Sequence, residues 1–168
     1  MGTFIPDKPI DDTLEVPFFE DSSEQKIPGR GTEKSHEQLQ SEIVDLMLKL
    51  GAGAARFAAG KFPTKPERYG WQITFSMNGV PGRIELAALP IRQETPSKKK
   101  QALAQALYLF RNYLEGEVWS AVYRPGAIAL LPFLMGEGGK TVTEALMERN
   151  ILPDVSPYWL PPLLGSGG

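Results

Sequence analysis

The stretch "WQITFSMNGVPGRIEL", Trp71 to Leu86, decides the fold. An Asn-Gly pair flanked by alternating apolar and polar residues is the strongest short-range signal for a β-hairpin with a two-residue type I′ turn. Setting Asn78 and Gly79 at the turn pairs Met77 with Val80, Phe75 with Gly82, Ile73 with Ile84 and Trp71 with Leu86. Thr74 then faces Arg83, and Gln72 faces Glu85, on the other side of the ribbon. A slip of one residue would mix the two sets, so burial specifies the register. Pro81 has no N–H to offer a further strand, which predicts that the second strand runs along a sheet edge. A two-stranded ribbon is marginal alone, so helices or a third strand must cover Trp71, Ile73 and Phe75.

Two amphipathic helices supply that cover. Upstream, Ser35 with Gln38 three residues later reads as a helix start, and Gly51 as its stop. Leu39, Ile43, Leu46, Met47 and Leu50 fall on one face between them. The alanines and glycines that follow, "AGAARFAAG", read as a closely packed stretch or a further short helical turn, and "KFPTKPERYG" as a basic, proline-interrupted connector. Downstream, a long helix is expected from Ser97, just after Pro96, with Leu103, Leu107, Phe110, Leu114 and Val118 in one stripe. Burying five such side chains contributes roughly 8–15 kcal/mol before entropy is subtracted. Gly116 marks a bend in that helix, and "YRPGA", Tyr123 to Ala127, ends it.

The ends of the chain are less regular. Residues 1–35 have no apolar period and carry eight Asp or Glu against four Lys or Arg, so they read as a disordered acidic arm. The apolar run Ala127 to Met135 fits a buried strand or a short helix, and Thr141 with Glu144 forms a capping box for a last helix. "PYWLPPLLGSGG" reads as an extended oily tail across the body, with residues 165–168 loose. The expected architecture is therefore α+β: a single domain over residues 36–164 in which an antiparallel hairpin or small sheet is packed by a first helix and a long second helix.

Composition narrows the function classes. The 168 residues are 42% hydrophobic and 23% charged, as in a globular domain. The absence of cysteine excludes disulfides, thiolate nucleophiles and cysteine-ligated metals. Neither a signal-peptide pattern at the N-terminus nor an apolar run long enough for a bilayer is present, which leads to the expectation of a cytoplasmic protein with no membrane contact. His36 is the only histidine and sits at a helix start, where a surface role is expected. "GEGGKT", Gly136 to Thr141, is not a P-loop, because Leu134 stands where the motif needs its first glycine. Glu115 and Glu117 are two apart on a helix and diverge, so no acid/base pair is visible. No metal, cofactor or catalytic residue is expected.

Two binding readings remain. "EVPFFEDSSE" places Phe18 and Phe19 among carboxylates that include Glu20 and Asp21, a docking motif either for a partner or for the protein's own body. "SKKKQ" breaks a rule, because Lys98, Lys99 and Lys100 occupy the first turn of a helix, where the macrodipole is already positive. With Arg83, Arg92 and Lys140 they are candidates for a nucleic-acid or anion site. The plainer alternative is a solvated charge run balanced by the acidic arm.

"YGWQITFSMNGVPGRIEL", "QALAQALYLFRNYLEGE", "LPFLMGEGGKTVTEAL" and "LPPLL" together resemble a loose group of short uncharacterised proteins of bacteriophages and mobile elements, over about residues 69–164. The resemblance implies a phage or mobile-element origin and carries over no functional residue. In arrangement alone, a hairpin feeding a long helix with a basic start is similar to part of the single-strand annealing proteins. The leading expectation is a non-enzymatic accessory protein that acts on an unknown protein partner; the alternative is a nucleic-acid-binding protein using the basic start of the long helix.

Overall fold

The structure, a computed structural model, describes residues 15–124 and 128–149. Its centre is the expected hairpin, β2 (Arg68–Met77) and β3 (Val80–Ala87), in the register derived above: Met77 opposite Val80, Phe75 opposite Gly82, Ile73 opposite Ile84, Trp71 opposite Leu86. Asn78 and Gly79 both take positive φ, 51° and 79°, as a type I′ turn requires. Gly82 has a packing reason as well. The Phe75 ring lies flat across it, and a Cβ at that position would fall inside the ring.

A third strand joins the hairpin. β1 (Ala52–Phe62) pairs antiparallel with β2, giving the sheet order β1-β2-β3. This corrects the expectation of a packed stretch or helical turn in "AGAARFAAG". The first residues of β1 are bulged between Gly53 and Arg56, with Ala54 at φ 55°, after which Arg56 to Phe62 run in unbroken register with Thr74 to Arg68.

The helices cover one face of this sheet. α1 (His36–Lys49) is capped by Ser35, whose side chain accepts the Gln38 N–H, and stops where Gly51 turns to φ 90°. α2 (Pro96–Ser120) has Pro96 in its first turn and Thr95 as N-cap, one residue earlier than expected. It continues through Gly116 to Ser120. Leu39, Ile43, Met47, Ile73, Ile84, Leu107 and Leu114 form the fully buried centre. Trp71 is held in place by its indole N–H, which donates to the Leu103 carbonyl at 3.0 Å.

α2 is buried beyond its apolar stripe: Ala102 to Leu107 are all inaccessible. The reason is the segment 15–35. Phe19 is wholly buried within the core, and Ser22 beside it donates to the Phe19 carbonyl at 2.6 Å. Further on, the buried Gln105 donates to the Pro28 carbonyl, and Gly29, at φ 87°, presses on the Tyr108 ring. Residues 15–35, expected within a disordered arm, are thus a strap packed on the helix that the sheet packs on from the other side. Residues 1–14 of that expected arm lie outside the described residues.

In the described part of the run before the last helix, residues 128–135, the short-helix alternative holds only as a single 3-10 turn, and Leu130 is the one buried residue of that part. A 3-10 turn at Leu131–Phe133 leads to isolated bridges, Leu134 to Gly82 and Met135 to Thr141. α3 (Val142–Glu148) follows, with the complete Thr141–Glu144 capping box. The expected tail, residues 157–168, lies outside the described residues.

Candidate functional site

The first turn of α2 and the loop before it gather four of the nominated residues. Glu20, in the short 3-10 turn Phe19–Asp21, extends its carboxylate to the N–H groups of Arg92 (3.0 Å) and Gln93 (2.8 Å) and to the Lys98 ammonium (3.3 Å). Desolvation works against its charge, yet the N–H groups of Gln93, Arg92 and Glu20 itself, with Lys98, outweigh it and hold the carboxyl down at about 2. Asp21 takes the Arg92 guanidinium at 2.7 Å, and that guanidinium also lies over the Phe18 ring at 4.6 Å. Phe19 points inward beneath Arg30, 4.0 Å from its ring centre. The Phe-Phe-Glu-Asp motif is therefore docked on its own domain, and an outside partner reading it would have to displace it.

The other nominated cations separate. Arg83, on the open face of the sheet, pairs with Glu144 and lies 3.5 Å from Glu85. Lys140 pairs with Glu148 of α3. Neither pairing adds to the cluster at α2. Of the six cations considered, Arg83, Arg92, Lys98 and Lys140 each have a carboxylate partner, and Lys99 and Lys100 have none among the described residues.

Lys99 borders a notch that sequence reasoning missed. Its wall is the end of β1, its floor is Tyr69 and Leu103, and it encloses about 210 Å³ among Ala59, Gly60, Lys61, Tyr69, Lys99 and Leu103. Lys99 sits 4.7 Å above the Tyr69 ring and Lys61 5.3 Å from it, while the Tyr69 hydroxyl donates to Glu94. That hydrogen bond, with some desolvation, raises the phenol pKa above its ordinary value. His36 lies edge-on to Trp71 at 5.3 Å, with its Nε2–H donating to the Lys100 carbonyl at 3.0 Å. A carbonyl oxygen only accepts, so Nε2 carries the proton. His36 is thus a structural bridge between α1 and α2. Among the described residues, no group of three or more His, Asp or Glu side chains converges to hold a metal ion.

β1 contributes a second kind of feature. It stands at the end of the sheet, and among the described residues no backbone hydrogen bond reaches the outer side of Arg56 to Lys61. Arg56, Ala58, Ala59, Gly60 and Lys61 are all exposed. The sheet face beside the same residues carries a second hollow, about 360 Å³, between Ala58–Phe62, Gly70, Gln72 and Glu85. The opposite edge is treated differently. At β3 the Leu134–Met135 segment crosses, Met135 donating its N–H to the Pro81 carbonyl at 2.8 Å and Leu134 bridging to Gly82. Among the described residues the molecule covers the turn end of the β3 edge, at Pro81 and Gly82, and leaves the straight run of β1 open. The only hint of this in the sequence was the absence of β-branched residues and of a buried face in 52–62, which also hid the strand.

Comparison with known protein families, with curated proteins and with solved structures finds no match for this chain. Among the described residues, no helix is long and apolar enough to cross a membrane.

Proposed function

We propose that this chain is a non-enzymatic accessory protein that acts by protein–protein interaction, and that its interaction element is the open edge of β1, to which a partner adds a strand. One observation carries the reading: a straight run, Arg56–Lys61, whose outward backbone donors and acceptors have no partner among the described residues, in a fold that blocks its other edge at Pro81 and Gly82. Such an edge is a template for another chain, and proteins ordinarily blunt it. Strand addition draws affinity from main-chain hydrogen bonds and specificity from alternate side chains. Here those side chains would enter the hollows on the two faces of β1.

Proline scanning tests this. Successive N–H groups on a strand point to opposite sides, so of Ala59→Pro and Gly60→Pro one loses an outward N–H and keeps the pairing with β2. That variant is recognised by wild-type unfolding behaviour. Proteins held by immobilised wild type from cells that make it should be lost by this variant. Equal retention by both removes the β1 edge as the interaction element.

A second reading has a specific observation behind it: Tyr69 lies between Lys99 and Lys61, the latter paired with Glu67, and Lys100 follows on the helix, which combines an aromatic surface with a group of cations. Single-stranded nucleic acid is bound by such combinations. Polarisation with labelled oligonucleotides at two salt concentrations tests it. Binding should weaken with salt, and the Lys99→Ala, Lys100→Ala double variant should flatten the log–log salt slope by roughly 1–2. Absence of salt-dependent binding removes this reading.

A further inference from the structure

We infer that the partner strand at β1 is the β1 of a second copy of this chain, paired antiparallel about a two-fold axis at Ala59. The inference rests on reading the β1 edge as the interaction element and adds what occupies it.

The usable part of the edge is bounded by the structure itself. The bulge between Gly53 and Arg56 breaks the strand at one end, and at the other the chain turns after Phe62, where the Thr64 N–H folds back to the Phe62 carbonyl at 2.8 Å. What remains straight is Arg56 to Phe62, seven residues long and about 20 Å from end to end. Its middle residue is Ala59. A dyad there uses the whole straight run in both copies. It sets Arg56 opposite Phe62 of the second copy, Phe57 opposite Lys61, Ala58 opposite Gly60, and Ala59 opposite Ala59.

This register is complementary on both faces. Arg56 and Phe62 lie on the open sheet face with Thr74 and Arg68, while Phe57 and Lys61 lie on the helix side with Ile73 and Tyr69. Each cation therefore meets an aromatic ring of the other copy on its own face, twice over by symmetry, and no like charges oppose. Parallel pairing in register would set Arg56 beside Arg56 and Lys61 beside Lys61. Because the middle positions carry only Ala and Gly side chains, nothing obstructs the approach of the two backbones.

The covered edge completes the argument. A head-to-tail contact, β1 of one copy on β3 of the next, would propagate without closing. Pro81 lacks an N–H, and the Leu134–Met135 segment occupies β3 at Pro81 and Gly82. The β1-to-β1 contact is self-complementary and closes, giving one six-stranded sheet across a dimer.

The absence of cysteine makes the dyad directly testable. In full-length Ala59→Cys the two thiols face each other, with Cβ atoms about 5 Å apart. A short bis-thiol reagent should link them efficiently. Ala58→Cys alone and Gly60→Cys alone should link poorly, but an equimolar mixture of those two should form the mixed dimer, since 58 opposes 60. Sedimentation of the wild type should show a concentration-dependent dimer, weakened about tenfold by Arg56→Ala because two exposed cation–π contacts go at once. Three results overturn the inference and are distinguishable. A monomer whose outward amides in residues 56–61 exchange rapidly means that the edge is open but awaits a different chain. A monomer with all those amides protected means that the edge is closed from within, which removes the strand-addition reading too. A dimer that links better through positions other than 58, 59 and 60 places the interface elsewhere.

Discussion

Replacing Glu20 by glutamine removes the charge that ties the strap to the start of α2, and the structure sets both the size and the pH dependence of the effect. The carboxyl is held at about 2 against an ordinary 4.5. That difference is worth roughly 3 kcal/mol at 1.36 kcal/mol per unit. The side chain remains 19% exposed, so solvent screening reduces the expected loss to about 1–2 kcal/mol. The sign follows from linkage. A carboxyl whose folded-state pKa lies below its unfolded value contributes fully above the unfolded value, and the contribution disappears as pH falls through the folded one. Urea unfolding of wild type and Glu20→Gln, followed by tryptophan fluorescence, should therefore show a gap of about 1–2 kcal/mol at about pH 7 that closes between about pH 4.5 and 2. Other carboxylates titrate over the same range, but they do so in both proteins and drop out of the difference. A gap that is constant across pH, or missing at neutrality, would show that Glu20 is not a charged clamp.

Phe19→Ala empties a fully buried ring site and removes the surface beneath Arg30; it should cost about 3–5 kcal/mol by the same urea measurement. A cost near zero would mean that the strap does not belong to the cooperative core. Gly82→Val forces a side chain into the Phe75 ring and should destabilise by roughly 1–3 kcal/mol. Gly82→Val combined with Phe75→Ala should recover part of that loss, so additive costs would refute the contact. Trp71→Phe keeps most of the ring but leaves the Leu103 carbonyl without its indole donor, with an expected loss of about 1–2 kcal/mol; calorimetric unfolding reads it.

What the sequence made legible was whatever had a strong local cause. The hairpin register follows from Asn78-Gly79 and the alternation around it, and every pair from Met77–Val80 to Trp71–Leu86 lies where that pattern puts it. The caps at Ser35 and Thr141 work the same way, because a cap is a matter of a few neighbouring residues. β1 was hidden because it is a strand with little buried face: Ala54, Arg56, Ala58, Ala59, Gly60 and Lys61 are all exposed, so hydrophobic alternation has nothing to act on. The strap was hidden for a related reason. Its anchors, Phe19, Ser22, Pro28 and Gly29, are single contacts to α2 or the core, without period. The candidate cations were all visible by composition, but several of their carboxylate partners come from distant segments: Glu20 is 78 residues from Lys98, and Glu144 is 61 from Arg83.

Lys98, Lys99 and Lys100 show why a broken local rule does not by itself identify a ligand. Three lysines in the first turn of a helix oppose the macrodipole, which is how an anion site announces itself in a sequence. The structure answers each in a different way. Lys98 has Glu20, Lys99 has the face of Tyr69, and the Lys100 ammonium has no acidic partner among the described residues. The anion that the first of these implied is present, but it comes from the strap of the same chain. By contrast, the β1 edge breaks no rule of charge. It shows itself only once the sheet order puts Arg56–Phe62 outermost and the Leu134–Met135 segment is found on the other side. Among the described residues, the outward backbone groups of β1 have no partner, and the proposed strand addition rests on them rather than on an anion site.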